Sequence, residues 1–325
     1  MTLFLIRRTF QGIVTIFVMS VIVFVGVYAI GNPVELLINP DATPEIKQAA
    51  IEKLGLDKPI YEQYWTFLIR ALQGDLGNSF IYDEPALQLI LAAMPATLEL
   101  ALFSMFLALI LGIPLGMIAG YWPESTASKI ILTSSIFGFS LPSFWVGLML
   151  ILVFSVEMGW LPSGGRGETV NVLGLHLSVF TWDGLSHIFL PALNLALFKI
   201  SLVIRLVRAG MKETMSQDYI KYARAKGLAG PRVVFVHAFR NTLVPLVTVL
   251  GLEMGSVIAF AVVTETIFSW PGMGKLIIDS INLLDRPVVV AYLMMTVLMF
   301  VVINLIVDIT YSAIDPRVRL SEQDD

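Results

Sequence analysis

The feature that most constrains this chain is a series of long stretches without charged side chains. A helix needs ~20 mostly apolar residues to cross the ~30 Å hydrocarbon core of a bilayer. Backbone N–H and C=O groups inside a bilayer must bond to each other, which favours helices. Five stretches are long enough and together contain one charge, Glu253: residues 9–34, 100–123, 130–156, 241–264 and 287–307. They predict an all-α membrane protein.

The composition agrees with this fold class. Hydrophobic residues make up 57% of the 325 residues, and charged residues only 14%, against about 25% in soluble domains. A soluble enzyme, a disordered chain and a nucleic-acid-binding protein are therefore not expected. The chain has 0 Cys, which excludes disulfides, thiol catalysis and Cys-ligated metals.

A sixth span is predicted over residues 184–207. Lys199 and Arg205 interrupt it, but residues 188–206 are otherwise apolar. With this span included, both termini lie on the same side of the membrane. Without it, the distribution of basic residues between the loops would lose its bias.

The basic residues predict the orientation. When loops are assigned alternately to the two sides, 13 Lys and Arg residues fall on one side and 7 on the other. The richer side is cytoplasmic by the positive-inside rule, so both termini are expected in the cytoplasm. Arg7 and Arg8, together with the apolar run that follows them, resemble a signal peptide. Because that run exceeds the ~7–15 residues of a signal core, it predicts a retained first helix.

Glycines recur at four-residue spacing inside two spans. Such spacing lets helix backbones approach closely in lipid, although glycine is also generally commoner in membrane helices. Both interpretations remain open at this point. The glycines are Gly112, Gly116 and Gly120 in one span and Gly251 and Gly255 in another.

Two loops are too long to be simple connectors. The organisation is therefore predicted as an N-terminal span (1–30), an extracytoplasmic cap-like loop (31–94), a core (95–311) with a cytoplasmic loop (208–241), and a cytoplasmic tail (312–325). The outer loop predicts one short helix from Thr43–Pro44 to Gly55 and a second from Pro59 to Leu72. It forms either a folded cap over an external opening or a solvated spacer that packs on the bundle.

The cytoplasmic loop is strongly basic. Eight of the 21 Lys and Arg residues lie between Arg205 and Arg240. Residues 213–226 predict a helix ended by Gly227, and residues 232–240 predict a helical run into the next span. An amphipathic helix held by anionic lipid is the alternative to a protein-binding role.

The search for catalytic motifs is negative. Gly272–Lys275 lacks the spacing of a phosphate-binding loop, so the chain is not expected to bind ATP. The three histidines lie far apart in sequence, and residues 138–142 do not form a nucleophile elbow. No enzyme activity and no cofactor bound by this chain are predicted.

Ionisable residues at membrane depth are the remaining chemical signal. A charge in lipid costs at least ~2.5–3.5 kcal/mol, so each should face a cavity or a partner. Lys199 and Glu253 are central, could pair, and with Asn194 are candidates for a translocation pathway. Glu99 and Asp308 lie near span ends, where a structural or interfacial role is favoured because long side chains can reach water.

One segment of the cytoplasmic loop resembles a known signature. In membrane subunits of ATP-binding-cassette importers, the sequence E-A-A-x-x-x-G is followed after nine residues by I-x-L-P. The corresponding residues here are Lys221, Tyr222, Ala223, Arg224, Ala225, Lys226 and Gly227. Ala223 and Gly227 match, whereas Lys221, Tyr222 and the segment His237–Arg240 depart. These departures resemble the dipeptide, oligopeptide and nickel permease branch.

Other segments resemble the first permease subunit of the same branch, in order along the chain. They are Leu56–Pro59, Gln63–Tyr64, Gly74–Ser79, Leu141–Trp145, Leu161–Gly165, Glu265–Gly274 and Asp315–Arg317. The cytoplasmic motif alone would be weak, but the ordered set is specific.

The resemblance implies a location and partners. The chain would lie in the bacterial cytoplasmic (inner) membrane and pair with a homologous permease subunit. Cytoplasmic ATP-binding-cassette subunits would bind the ATP and dock on the helix ended by Gly227. An extracytoplasmic solute-binding protein would deliver the substrate to the outer loops.

Several functions stay open in the sequence. Peptides are the default substrate that the resemblance implies, with nickel, glutathione and oligosaccharides as alternatives. A secondary transporter driven by an ion gradient, with Lys199 and Glu253 in a relay, is the alternative from another class. It would show uptake by this chain alone, and internal repeats are not evident in the sequence.

Overall fold

The computed structural model describes residues 2–29 and 57–314, together with Thr43, Gln48 and Ile51. Most of these residues are helical, which confirms the predicted all-α membrane protein. The helices are α1 (Thr2–Ala29), α2 (Ile60–Leu72), α3 (Ala86–Tyr121), α4 (Thr126–Ser140), α5 (Ser143–Leu150), α6 (Trp182–Met215), α7 (Asp218–Ala225), α8 (Gly230–Arg232), α9 (Phe239–Ile267), α10 (Met273–Asn282) and α11 (Arg286–Ile314). Two π-helical segments, Ile151–Glu157 and Val233–Ala238, continue α5 and precede α9.

Contacts divide the chain into two units. One contains the described residues up to Ala92 together with Leu276–Val302. The other contains Ala93–Lys275 and the described residues from Ile303 onward. The cytoplasmic loop and all three predicted pathway residues belong to the second unit.

Five helices in the described part of the chain are long and apolar enough to cross a membrane. The spans are Ile6–Gly26, Ala86–Tyr121, Trp182–Met215, Pro245–Ile267 and Arg286–Ile309. The interrupted span predicted over 184–207 is therefore confirmed as a continuous helix. Of its two charged interruptions, Lys199 is buried and paired with Glu253, whereas Arg205 is exposed and its guanidinium lies 4.8 Å from the Phe139 ring centroid.

The uncharged run 130–156 does not form one straight span. It forms α4 and the α5 segment, which meet at a bend of 105°. Leu141 ends α4 in an extended conformation (φ −83°, ψ 138°), and Pro142 begins the next helix. A residue before proline is driven out of the helical region, so the break follows from the Leu141–Pro142 pair.

The glycine spacing in α3 creates a close helix–helix contact. A Cβ built on Gly112 or Gly116 would lie 2.7 Å from the side chain of Val203 or Val207 on α6. One on Gly120 would lie 2.6 Å from Met211. The interpretation as a packing motif is therefore correct for this span.

The second predicted outer helix is present as α2, which begins after Pro59 and ends at Leu72. The helix predicted between Thr43 and Gly55 lies outside the described residues apart from isolated positions, as does the tail from Asp315. Helix α3 begins at Ala86 and runs through Pro95 without a break, earlier than the apolar pattern indicates.

A short hairpin precedes α6 and was not predicted. Strand β1 (Val170–Val172) pairs antiparallel with β2 (Leu175–Leu177), with Asn171 opposite His176. Leu173 and Gly174 both have positive φ, the geometry of a type I′ turn. The Asn171 side chain accepts a hydrogen bond from Gly174 N at 2.9 Å, which supports the turn.

Candidate functional site

The loop predicted to be cytoplasmic, residues 208–241, contains a short helix with one inward and one outward face. Helix α7 starts after Gln217, so residues 213–215 belong to α6 rather than to the single helix predicted over 213–226. Ile220 and Ala223 are buried. The other residues of the signature are exposed: Lys221, Tyr222, Arg224, Ala225, Lys226 and Gly227.

The outward face of α7 is basic and aromatic. Lys226 Nζ lies 4.6 Å from the centroid of the Tyr222 ring, a cation–π contact. Lys221 Nζ lies 2.8 Å from Asp218 Oδ1, and both side chains are largely exposed. An exposed ion pair of this kind adds little stability, so this face contributes little to holding the fold together.

Gly227 ends α7 as predicted. Its φ is +78°, the left-handed conformation in which glycine is favoured after a helix. Gly227 N bonds to Arg224 O at 2.9 Å, and Leu228 N bonds to Ala223 O at 3.3 Å. These bonds use carbonyls left free at the helix end. The polypeptide then turns back into α8 and the π-helical segment before α9.

The inward face of α7 anchors the loop. Ala223 is 6% exposed, so its small side chain packs within this chain rather than facing outward. Beside this face, the exposed Tyr219 accepts a hydrogen bond at its OH from Asn241 Nδ2 on α9. The outward residues are therefore held on a support that is tied to a membrane helix.

The three polar residues predicted at membrane depth lie in the same unit, on α6 and α9. Lys199 Nζ donates to Glu253 Oε2 and, at 2.7 Å, to Ser256 Oγ. The Lys199 and Glu253 side chains are 4% and 28% exposed. The proposed pair is therefore present, and its charges neutralise each other inside the helix bundle.

Asn194 lies near this pair in the same helix but has its own partner. Its Nδ2 donates to Thr264 Oγ1 at 3.0 Å. Its Oδ1 is buried and has no hydrogen-bond partner within the described part of the chain. A buried amide oxygen without a donor is costly.

A cavity of about 240 Å³ joins these groups. Asn194, Lys199 and Thr264 provide polar atoms, while Phe139, Phe198 and Phe260 are among its apolar lining residues. The Phe139 and Phe198 rings stack at 4.4 Å between centroids. Apolar walls with a few polar groups are typical of sites for small solutes.

Glu99 does not reach toward water as its position near a span end suggested. It is 6% exposed, and Oε2 accepts from Arg166 Nη2 at 2.6 Å. Oε1 accepts from the backbone N–H groups of Ser178 and Val179. The structural role expected for Glu99 holds, but its mechanism is a buried ion pair that fastens the hairpin segment. Asp308 is half-buried on α11.

A second buried carboxylate, Glu265, was missed as a polar centre. It has no exposed surface, and Oε1 accepts from Thr97 Oγ1 at 2.7 Å. Oε2 accepts from Gly274 N at 2.7 Å and Lys275 N at 3.0 Å. These amides belong to Gly272–Lys275, the segment that lacks the spacing of a phosphate-binding loop. They donate to the carboxylate of Glu265 in the same chain. The sequence feature that could have indicated this contact is the short separation of Glu265 from Gly272 and Gly274.

No group of three or more His, Asp or Glu side chains that could hold a metal ion occurs among the described residues.

Comparisons with known proteins agree with this geometry. Residues 112–320 match the family described as "Binding-protein-dependent transport system inner membrane component", and residues 1–101 match the N-terminal family of such membrane components. The chain is 37% identical over 317 residues to the glutathione transport system permease protein GsiC of Escherichia coli O6:H1, covering 97% of this chain and 98% of that protein. It is 36% identical, with the same coverage, to the proteins of that name in Escherichia coli strain K12 and Shigella dysenteriae.

A solved structure shows the same fold at low sequence similarity. A chain of the MetNI methionine ABC transporter, in an inward-facing conformation, superposes with a TM-score of 0.54 and 15% identity. The match covers 71% of this chain and 99% of that one.

Proposed function

Because this chain belongs to the family of binding-protein-dependent transport system inner membrane components, we propose that it forms half of the pathway by which an ATP-driven importer moves short peptides. It is a multi-pass permease subunit of an ATP-binding-cassette importer, and the family is not itself an ATPase. Glutathione, which names the similar permeases, is the specific alternative within the peptide class.

The observation that carries the proposal is the outward face of α7. It presents Tyr222, Arg224 and Lys226 on a helix that a hydrogen bond between Tyr219 and Asn241 ties to α9. Side chains that do little for this chain's own stability are free to bind a partner. We propose that a cytoplasmic ATPase subunit docks on this face, and that ATP binding moves α7 together with α6 and α9. A homologous second permease subunit completes the pathway.

The cavity beside α6 is the proposed contact point for the solute. The unpartnered Asn194 Oδ1 can accept an N–H group, such as the ammonium or amide of a peptide. The Lys199–Glu253 pair adds both signs of charge next to it. An extracytoplasmic binding protein would deliver the solute to the outer side.

Docking on α7 can be tested with two matched alanines. Ala225 is exposed on α7, and Ala127 is exposed at the start of α4. Ala225→Trp should block the docking face and reduce ATP-driven uptake of labelled peptides into proteoliposomes that contain the co-purified subunits. Ala127→Trp should leave uptake unchanged. Normal transport by Ala225→Trp, with normal membrane levels of the protein, would contradict the docking assignment.

The substrate requires a second measurement. Labelled glutathione, dipeptides and tripeptides should be compared in the same proteoliposomes, with ATP inside and the binding protein outside. The class of compound that competes for uptake is identified as the substrate. Uptake by this chain alone that an uncoupler abolishes would instead support an ion-gradient-driven transporter.

A further inference from the structure

Helix α2, in the segment after the first span, has an apolar surface wider than its contact with the rest of the chain requires. At about 100° per residue, its apolar side chains occupy two adjoining sectors of the helix surface. One sector contains Ile60, Tyr64, Phe67, Leu68 and Ala71. The other contains Tyr61, Trp65, Ile69 and Leu72, here called the outer stripe. Polar residues, among them Glu62, Thr66 and Arg70, fill the remaining sector.

The first sector packs against α1. Tyr64 OH and Ser20 Oγ are 2.8 Å apart and hydrogen-bonded. The Tyr64 ring lies 5.3 Å from the Phe24 ring and 6.4 Å from the Phe17 ring, measured between centroids. The Phe67 ring lies 5.7 Å from Phe24. This aromatic cluster fixes α2 to the second half of α1.

These contacts set the depth of α2 in the membrane. The candidate span within α1 is Ile6–Gly26. At about 1.5 Å per residue, Ser20 lies ~9 Å and Phe24 ~3 Å inside the C-terminal end of that span. Helix α2 is therefore level with the outermost part of the hydrocarbon core and the adjoining headgroups. A helix beside Ser20 and Phe24 cannot be fully solvated if α1 spans the bilayer as its length and composition indicate.

Within the described part of the chain, the side chains of the outer stripe are largely uncovered. Tyr61 is 71% exposed, Trp65 62% and Leu72 81%. On α1, Phe17 and Val21 are also exposed next to Ser20, so α1 and α2 present apolar side chains at the same depth. The lipid-facing surface of α1 therefore continues onto α2. Aromatic residues at this depth are typical of the membrane–water interface.

We propose that α2 is an interfacial helix that lies in the leaflet at the C-terminal end of α1. The outer stripe contacts lipid acyl chains, and Glu62, Thr66 and Arg70 face the headgroups and water. The helix is neither a cap over an external opening nor a solvated spacer. This assignment depends on the depth of α1 and is independent of the transported solute and of the coupling loop.

The absence of cysteine from the sequence makes a direct test straightforward. A nitroxide label on a single introduced cysteine reports collisions with oxygen, which concentrates in lipid, and with a water-soluble nickel chelate. The labelled positions are Tyr61→Cys, Trp65→Cys and Ile69→Cys on the outer stripe, and Glu62→Cys and Thr66→Cys on the polar sector. The full-length chain, purified with the subunits that co-elute, is placed in lipid nanodiscs.

We expect high oxygen and low nickel accessibility at the three outer-stripe positions, and the reverse at Glu62 and Thr66. Val18→Cys, exposed in the middle of the α1 span, gives the lipid reference, and Asp57→Cys gives the aqueous one. Equal nickel accessibility on both sectors would show a solvated helix and overturn the proposal. Exclusion of both reagents from the outer stripe would show a protein partner and also overturn it. Leu72→Cys, at the helix end, repeats the test if an internal variant fails to fold.

Discussion

Two glycine-containing segments of this permease, residues 218–227 and 264–275, resemble the same transporter branch but are built in opposite ways. The first exposes its charged residues and uses its inward face mainly to hold α7 in place. The second buries Glu265, Trp270 and Met273, with Trp270 Nε1 donating to Ala96 O at 2.9 Å. The first segment directs its charged side chains away from the protein, and the second directs these three side chains into its interior.

This difference shows that a sequence motif can require particular residues for two distinct reasons. In residues 264–275, a Cβ on Gly272 or Gly274 would collide with the Glu265 carboxylate, so these glycines are required by internal packing. Gly227 follows α7, and no atom of the described residues beyond its chain neighbours lies within 4 Å of a Cβ built on it, so only its left-handed backbone conformation requires glycine. Glycine substitutions should therefore cost more stability in the first segment than in the second, whereas changes to the exposed side chains of α7 should reduce coupling to a partner.

The largest expected effect is at Glu265. Glu265→Ala removes the acceptor for Thr97 Oγ1 and for the amides of Gly274 and Lys275. Each buried donor left unpaired costs about 1–3 kcal/mol, so we expect a loss of at least about 3 kcal/mol. The measurement is the thermal unfolding midpoint of the purified chain in detergent.

Thr266→Ala is the matched control for Glu265. Thr266 is exposed on the same helix end, and its hydroxyl donates to a carbonyl of its own helix, Val262 O, at 2.8 Å. We expect little change in its unfolding midpoint. If Glu265→Ala were as stable as Thr266→Ala, the buried segment would not be the structural element described above.

The Lys199–Glu253 pair is a partly buried site, with Lys199 4% and Glu253 28% exposed. Lys199→Met leaves Glu253 without its counter-charge, and because Glu253 is partly exposed and keeps the hydrogen bond from Ser256 Oγ, we expect a loss smaller than the ~3–5 kcal/mol of a fully buried pair. Lys199→Met combined with Glu253→Leu should recover much of that stability, because replacing both charges removes the unpaired one. Unfolding midpoints of the two single variants and the double variant measure the coupling.

Measuring transport by the same variants distinguishes a structural role of the Lys199–Glu253 pair from a role in the pathway. If the double variant is stable but does not transport, the charges act on the solute. If it is stable and transports normally, Lys199 and Glu253 serve only the fold, and their assignment to the pathway is wrong.

The membrane-spanning architecture could be predicted from the sequence because an uncharged run of sufficient length has few alternatives in a bilayer. Even the span containing Lys199 was predictable, since the residues around it are apolar. A kink at Pro142 could be predicted, because proline interrupts a helix. The 105° angle could not, because the same run could form one kinked span or two helices.

The candidate site was only partly predictable for a related reason. The exposed residues of α7 follow a local pattern, so sequence alone could find them. Glu265, Thr97 and Lys275 come together only after folding, since Thr97 lies 168 positions before Glu265. The hairpin at 170–177 is too short to give a strand signal, and Leu173 at its turn is not a residue that favours positive φ.

A smaller stability effect is expected at Gly227. Gly227→Ala forces a residue with a Cβ into a left-handed conformation, which costs about 1–2 kcal/mol. Gly230→Ala is the control, because a Cβ there meets nothing within 4 Å and its φ is not in that region. Hydrogen exchange of the α7 amides should rise in Gly227→Ala and stay unchanged in Gly230→Ala. Equal exchange in both would contradict the role of Gly227 in ending α7.

The smallest effect on stability, and the sharpest contrast with Glu265, is expected from the outward charges of α7. Arg224→Gln combined with Lys226→Gln removes two exposed charges, and such surface changes usually alter the free energy of unfolding by less than about 0.5 kcal/mol. If α7 docks an ATPase subunit, the same variant should nevertheless lose ATP-driven uptake and co-purified ATPase, because the contact depends on charges that this chain does not need for itself. Lys129→Gln, which removes an exposed charge in the first turn of α4, should change neither property. Unchanged uptake in the double variant would mean that the outward face of α7 is only a solvated or a lipid-binding surface. The two segments would then differ in the burial of their side chains and not in the binding of a partner.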